Sequence, residues 1–91
     1  MSLDLHHIPN IKDGRRLIKK FSIENGLTIA LPASFHKAMS HSGYPEISNA
    51  RDLLAQEIIY IRKVVYIPSH ILLGIIKENL KLFPESFKKK Q

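Results

Sequence analysis

The sequence predicts a small α+β domain of 91 residues, in which a strand, strand and helix unit precedes a pair of helices. Two short apolar runs, residues 3–8 and 27–31, are rich in strand-forming residues and are bounded by turn residues. After residue 46 the apolar residues recur at steps of three and four, which is helical spacing. This change of period separates a mixed first half from a helical second half.

The first half is predicted to be strand, basic insert, strand and helix. Residues 9–14 (PNIKDG) contain several turn formers and predict a loop, and residues 15–23 (RRLIKKFSI) predict a short helix. The pair Asn25-Gly26 predicts a turn into the second strand. A helix over residues 33–41 (ASFHKAMSH) follows that strand.

The second half is predicted to be two helices. The first has an apolar stripe that covers about 20 residues: Ile47, Ala50, Leu54, Ile58, Ile61 and Val65. Pro68 ends it, and Ser69 is expected to cap a second helix that ends near Pro84. Residues 58–67 (IIYIRKVVYI) would suit strands equally well, because β-branched and aromatic residues favour strands. Residues 85–91 are predicted to be a frayed basic tail.

Composition narrows the class of protein. The hydrophobic fraction of 44% and the charged fraction of 24% are ordinary for one globular domain, so disorder is a poor fit. No apolar run approaches the roughly 18 residues of a membrane span, and no signal-peptide layout is present, so we expect a soluble chain. The chain has no cysteine, which excludes disulfides and thiolate metal sites. The formal charge of +6 and a pI near 9.8 favour polyanion partners, nucleic acid above all.

Four of the five histidines lie in the first 41 residues. His6 and His7 are neighbours on a predicted strand, so their side chains point to opposite faces. If the two strands pair and the next helix packs across them, one of this pair approaches His36 on that helix. One histidine can then serve a metal ion while its neighbour meets a substrate.

Three segments resemble a known family. "LDLHHIPN", "ENGLTIALP" and "FHKAMSHSGYPE" are similar to HNH endonucleases with the ββα-metal fold. They especially resemble the small nuclease domains at the C-termini of bacterial polymorphic toxins. The resemblance covers roughly residues 4–46, half the chain. It implies a single nuclease-like domain over 1–91, with a ββα-metal core at 3–46, a helical extension at 47–84 and a basic tail at 85–91.

The resemblance also implies an activity and a context. The chain is expected to be a metal-dependent endonuclease that hydrolyses phosphodiester bonds, with DNA favoured over RNA. It would be the toxin module of a larger secreted bacterial protein, delivered into the target-cell cytoplasm. A cognate immunity protein is then expected as a partner, and the +6 charge favours an acidic one.

Individual roles follow from the same resemblance. His6 would be a metal ligand, and His7 would be the general base that deprotonates the attacking water. Asn25 would help orient the base or tie down the loop. His36 would be a second ligand from the helix, and His41 a third ligand or a contact to the scissile phosphate. The cofactor would be one divalent ion, whether zinc, nickel, manganese or magnesium.

The spacing of the helix-borne histidines departs from the common pattern. His36 and His41 are five residues apart, and on a regular helix this separates them by about 140° around the axis. They share a face only if the helix stops, and Ser42-Gly43 is a plausible stop. Asp4 is the reserve ligand, because it lies two residues before His6 on the same strand face.

A run of basic residues lies between the two predicted strands. Its members are candidates for neutralising phosphates beside the cut site: Lys12, Arg15, Arg16, Lys19 and Lys20. A solvated helix face is the alternative reading of these charges. At the level of the whole chain, the alternative function is a non-catalytic basic module that binds nucleic acid or protein and whose histidines are structural.

Overall fold

The structure is a computed structural model that describes residues 2–38 and 43–87. It contains a two-stranded sheet and helices, so the α+β class is confirmed. The elements in chain order are β1 (Leu3–His7), α1 (Ile11–Leu17), β2 (Thr28–Pro32), α2 (Ala33–Ala38), α3 (Ala50–Val64), α4 (Ser69–Leu82) and α5 (Pro84–Phe87).

The two strands form an antiparallel pair, as a hairpin-like arrangement requires. Leu3 lies opposite Pro32 and His7 lies opposite Thr28. Side chains alternate between the two faces of each strand. Leu31 of β2 lies on the buried face, and Leu5 of β1, which is 68% exposed, lies on the other face. The helix α2 starts directly after β2 and contacts both strands. This strand, strand and helix order is the one that the sequence predicts.

The first helix lies earlier than the sequence analysis places it. The predicted loop at 9–14 and the predicted helix at 15–23 are each right only in part, because α1 spans Ile11–Leu17 and residues 18–26 form turns. Asn10 caps the helix: its side-chain oxygen accepts a bond from the Asp13 backbone N–H at 2.9 Å. Asn10 and Asp13 therefore start a helix instead of shaping a loop.

The glycine inside α1 has a packing reason. A Cβ atom on Gly14 would lie 2.2 Å from the ring of Phe21, which folds back over the helix. Phe21 in turn meets Phe83 edge to face, with ring centroids 5.8 Å apart. Glycine at position 14 thus leaves room for the Phe21 ring, so the turn after α1 can pack against the core.

The helical stripe of the second half is largely confirmed. Residues 58–64 are helical, so the strand alternative is wrong for them. The helix α3 begins at Ala50 and not at Ile47, because Asn49 caps it through the Asp52 backbone N–H at 2.8 Å. The expected cap at Ser69 is also wrong, since Ser69 is the first residue of α4 and no side-chain cap bond is made there.

One apolar cluster joins the two halves of the chain. Its buried members come from the sheet, the turn after α1 and the later helices: Ile8, Ile18, Leu31, Ala50, Leu54, Ile58, Ile61, Leu72, Phe83 and Phe87. Buried apolar area of this kind is the main stabilising contribution in a chain of this size. The helical half therefore packs directly on the hairpin.

A buried amide fixes α4 to the end of β1. Asn79 is fully buried, and its Nδ2 donates to the backbone oxygens of Ile8 at 3.3 Å and Ile75 at 3.0 Å. Ile8 follows directly after His7. The position of the His7 backbone thus depends on a contact with a helix 71 residues further along the chain.

Candidate functional site

The His7 side chain is held by a backbone carbonyl. Its Nε2 lies 3.1 Å from the Ile23 oxygen, in the turn before β2. A carbonyl oxygen only accepts hydrogen bonds, so Nε2 is the nitrogen that donates. In the neutral ring, Nδ1 is then the nitrogen with a free lone pair. The contact therefore selects one tautomer and leaves Nδ1 available to accept a proton.

The turn that presents this carbonyl is organised by Asn25. Its Oδ1 accepts bonds from the backbone N–H and the hydroxyl of Ser22, both at 2.8 Å, and its Nδ2 donates to the Lys20 oxygen at 3.1 Å. These bonds stay within the turn and enclose Ile23. Of the two roles that the resemblance implies for Asn25, this geometry corresponds to tying down the loop.

His6 and Asp4 lie on the other face of β1. His6 is 9% exposed and Asp4 is half-buried, and both alternate with the exposed Leu5. The register places His6 opposite Ile29. One imidazole nitrogen and one carboxylate on a common face are ligand types that suit a first-row divalent metal.

The remaining expected ligands are not visible in the described side chains. His36 lies in α2, which contacts both strands, but its side chain is outside the described part, and His41 lies outside the described residues altogether. Within the side chains that are described, no group of three or more His, Asp or Glu residues could hold a metal ion. Asp4 and His6 supply only part of a coordination sphere, so a metal would need further ligands.

The predicted phosphate-binding residues differ in how free they are. Lys12 and Arg15 are exposed on α1, and Lys19 and Lys20 are exposed on the turn after it. Arg16 is already paired within the protein, because its Nη2 lies 2.9 Å from Asp13 Oδ1 and 3.0 Å from the backbone oxygen of Tyr44. Four of the five candidate side chains therefore offer an exposed cationic surface.

A buried carboxyl group that the sequence analysis missed lies behind this surface. Glu57 is 1% exposed, and its Oε1 accepts bonds from both the backbone N–H and the side-chain Nδ2 of Asn10. Its Oε2 has no hydrogen-bond partner in the described structure. Burial raises the pKa of Glu57 to about 7, and the charge of Asp13 acts in the same direction, while the bonds from Asn10 oppose it.

Asp13 shares this cluster but titrates in the opposite direction. Burial tends to raise its pKa, but bonds from the Arg16 and Asn10 side chains and from the Tyr44 backbone outweigh burial and lower the pKa below its ordinary value. The Tyr44 N–H donates to Asp13 Oδ2 at 2.8 Å. Both carboxylate oxygens of Asp13 therefore accept hydrogen bonds, whereas only one carboxyl oxygen of the neighbouring Glu57 does.

Two features of the sequence, which the sequence analysis did not use, indicate this cluster. Asn-x-x-Asp occurs at Asn10 and again at Asn49, and in both places it caps a helix. Glu57 lies between Leu54 and Ile61, at a position where the apolar stripe of α3 calls for a buried residue. An acid on a buried stripe is a signal of an internal polar contact, although its partner is not evident from the sequence.

The fold and the described residues define a small α+β domain whose hairpin carries a carbonyl-anchored histidine beside a basic helix. None of the helices in the described ranges is long and apolar enough to cross a bilayer. Comparison with protein-family models, with curated proteins and with solved structures found no match to this chain.

Proposed function

We propose that the chain is a metal-dependent endonuclease that hydrolyses phosphodiester bonds, with DNA favoured over RNA. The observation that carries the proposal is the bond from His7 Nε2 to the Ile23 oxygen, because it leaves Nδ1 as a proton acceptor. A general base needs this combination of fixed orientation and a free lone pair. The order of strand, strand and helix, with a histidine in each of β1 and α2, supports the same proposal.

The described residues divide into two roles in this mechanism. His7 takes the proton of the attacking water, while the basic residues of α1 and of the turn after it hold the phosphates on either side of the cut. The metal ion, when bound, would stabilise negative charge on the phosphate and the leaving oxygen. Its proposed ligands are His6, His36 and His41, with Asp4 in reserve.

The biological context is part of the proposal and rests on the resemblance. The chain would be the toxin module of a larger secreted bacterial protein that acts in the target-cell cytoplasm. An acidic immunity protein that covers the histidine site would protect the producing cell, since the net charge of +6 favours such a partner.

Plasmid cleavage tests the activity. Purified protein is incubated with supercoiled DNA and Mg²⁺, Mn²⁺, Zn²⁺, Ni²⁺ or Co²⁺, with EDTA as the metal-free control. We expect nicking that His7→Ala lowers by about 10²- to 10⁴-fold, the usual contribution of a general base. His70→Ala is the matched control, because His70 is exposed at the start of α4. Equal nicking by the two variants would refute the role of His7.

A non-catalytic basic binding module is the second candidate. It is favoured by the exposed cations of α1 and of the turn after it. It predicts a gel shift of DNA without nicking under every metal condition. The shift should weaken steeply between 50 and 200 mM salt, because cation contacts to phosphates release counterions.

A further inference from the structure

A groove of about 220 Å³ lies between α3 and α4. The short helix α5 contacts both helices and contributes to the wall. Most of the lining residues are apolar: Arg51, Leu54, Ala55, Ile58, Ile76, Leu80 and Phe87. The groove is separate from the hairpin histidines, and among the described side chains of the proposed nuclease site none lines it.

The apolar strip continues beyond the groove on both helices. Leu73 lies one helical step before Ile76 and is 55% exposed, and Leu80 is 41% exposed. On α3, Ile59 lies one step after Ala55 and is 49% exposed. Isolated exposed apolar residues are common on protein surfaces, but a row of them along a concave strip marks an interaction surface.

Two arginines of α3 lie at or beside the groove. Arg51 lines it and donates from Nη1 to the Phe87 backbone oxygen at 3.1 Å, and Arg62 lies one helical step after Ile58 on the same side of α3. On α4, Lys77, Glu78 and Lys81 are exposed but do not line the groove. Both acidic residues of α3 are engaged elsewhere: the Asp52 carboxylate accepts a bond from the Asn49 side chain at 2.8 Å as part of the helix cap, and Glu57 is buried against Asn10.

We propose that this groove docks an acidic amphipathic helix of a partner protein. A groove between two helices accepts the apolar stripe of a third helix, whose anchoring side chains are spaced at i, i+3 or i+4, and i+7. Glutamates or aspartates beside that stripe would then meet Arg51 and Arg62. A second copy of this chain is a poorer occupant, because each copy carries a charge of +6. The proposal does not depend on the nuclease activity.

A designed peptide provides the probe. It is an 18-residue, fluorescein-labelled helix of leucine, alanine and glutamate with leucines at i, i+3 and i+7, and its control is a scrambled isomer of equal charge. Binding is followed by fluorescence anisotropy at 0.15 M salt, where surface charges are screened beyond roughly 8 Å. We expect the patterned peptide to bind at least about tenfold more tightly than the isomer. Equal affinities, or no binding, would overturn the proposal.

Variants locate the binding surface. Leu73→Gln and Leu80→Gln should each weaken binding by about tenfold, the effect of losing roughly one buried leucine contact. Leu3→Gln, at a residue 62% exposed on β1, is the matched control and should have no effect. Arg62→Glu should weaken binding more than Lys63→Glu, because Lys63 lies about 100° further around α3.

Other occupants give distinct results. Light scattering that reports a dimer sensitive to Leu80→Gln would assign the groove to a second copy and overturn the proposal. Phosphatidylserine vesicles that displace the patterned peptide from the wild-type protein would assign it to a membrane surface, with the same consequence. A circular dichroism melt of each variant shows that the fold is retained, which the exposure of Leu73 and Leu80 leads us to expect.

Discussion

Replacing Glu57 by glutamine should stabilise the protein above neutral pH and change little at pH 5. The carboxyl group is buried against Asn10 and close to Asp13, and its Oε2 has no partner among the described residues. Its ionised form is therefore poorly solvated, and this is why its pKa is raised. Glutamine keeps the oxygen that accepts the Asn10 bonds and cannot ionise.

The magnitude follows from linkage between ionisation and folding. The pKa of Glu57 rises from 4.5 to about 7, and each pKa unit corresponds to about 1.4 kcal/mol, so the effect is on the order of 3 kcal/mol. A raised carboxyl pKa means that the folded protein holds its proton more tightly than the unfolded chain. The full stability is present below pH 4.5 and is lost progressively as the pH rises towards 7.

Urea denaturation at several pH values measures this effect. Wild-type protein should lose on the order of 3 kcal/mol of unfolding free energy from the Glu57 contribution between pH 4.5 and 8. Other groups titrate in the same range, so the quantity to compare is the difference between wild type and Glu57→Gln at each pH. Glu78→Gln is the matched control, because Glu78 is exposed on α4. A difference that is the same at pH 5 and pH 8 would refute the reasoning.

The remaining predictions concern the helix caps and the glycines. Asn49→Ala should cost about 1 kcal/mol of unfolding free energy as a lost cap, whereas Asn10→Ala should cost about 2 kcal/mol because it also removes the side-chain donor to Glu57 Oε1 and leaves only the backbone N–H of residue 10. Similar losses in urea denaturation would contradict this. Gly74→Ala should stabilise by about 0.5 to 1 kcal/mol, since its Cβ meets no atom within 4 Å in an exposed helix. Gly14→Ala should destabilise the protein, because its Cβ would clash with the Phe21 ring. If Gly14→Ala and Gly74→Ala shift the melting temperature in the same direction, the packing argument is refuted.

The sequence predicts elements well where one periodicity dominates. The apolar positions of α3 fit a helix over its whole length, and Ala50, Leu54, Ile58 and Ile61 are all buried. The hairpin was predictable from two apolar runs flanked by turn residues. In both cases the spacing of the apolar residues shows which side chains are buried, and the burial of those side chains determines the secondary structure.

The errors occur where the same residues suit two local structures. Asn10, Asp13 and Gly14 are turn formers, and they are also suited to a capped helix with a ring packed on its glycine. The choice is made by Phe21 and by Glu57, which lies 47 residues away from Asn10. The buried carboxyl cluster was missed for the same reason, because its members meet only once α1 and α3 have packed together.

The amide of Asn79 has a consequence for the modularity of the chain. It holds the backbone oxygen of Ile8, and Glu57 holds the backbone nitrogen of Asn10, so two helices clamp the three residues 8–10 that link β1 to α1. A fragment that stops before Ala50 would keep every histidine of the resemblance and lose both clamps. The strand, strand and helix unit is thus not transplantable by itself, and grafting it elsewhere would require the later helices as well.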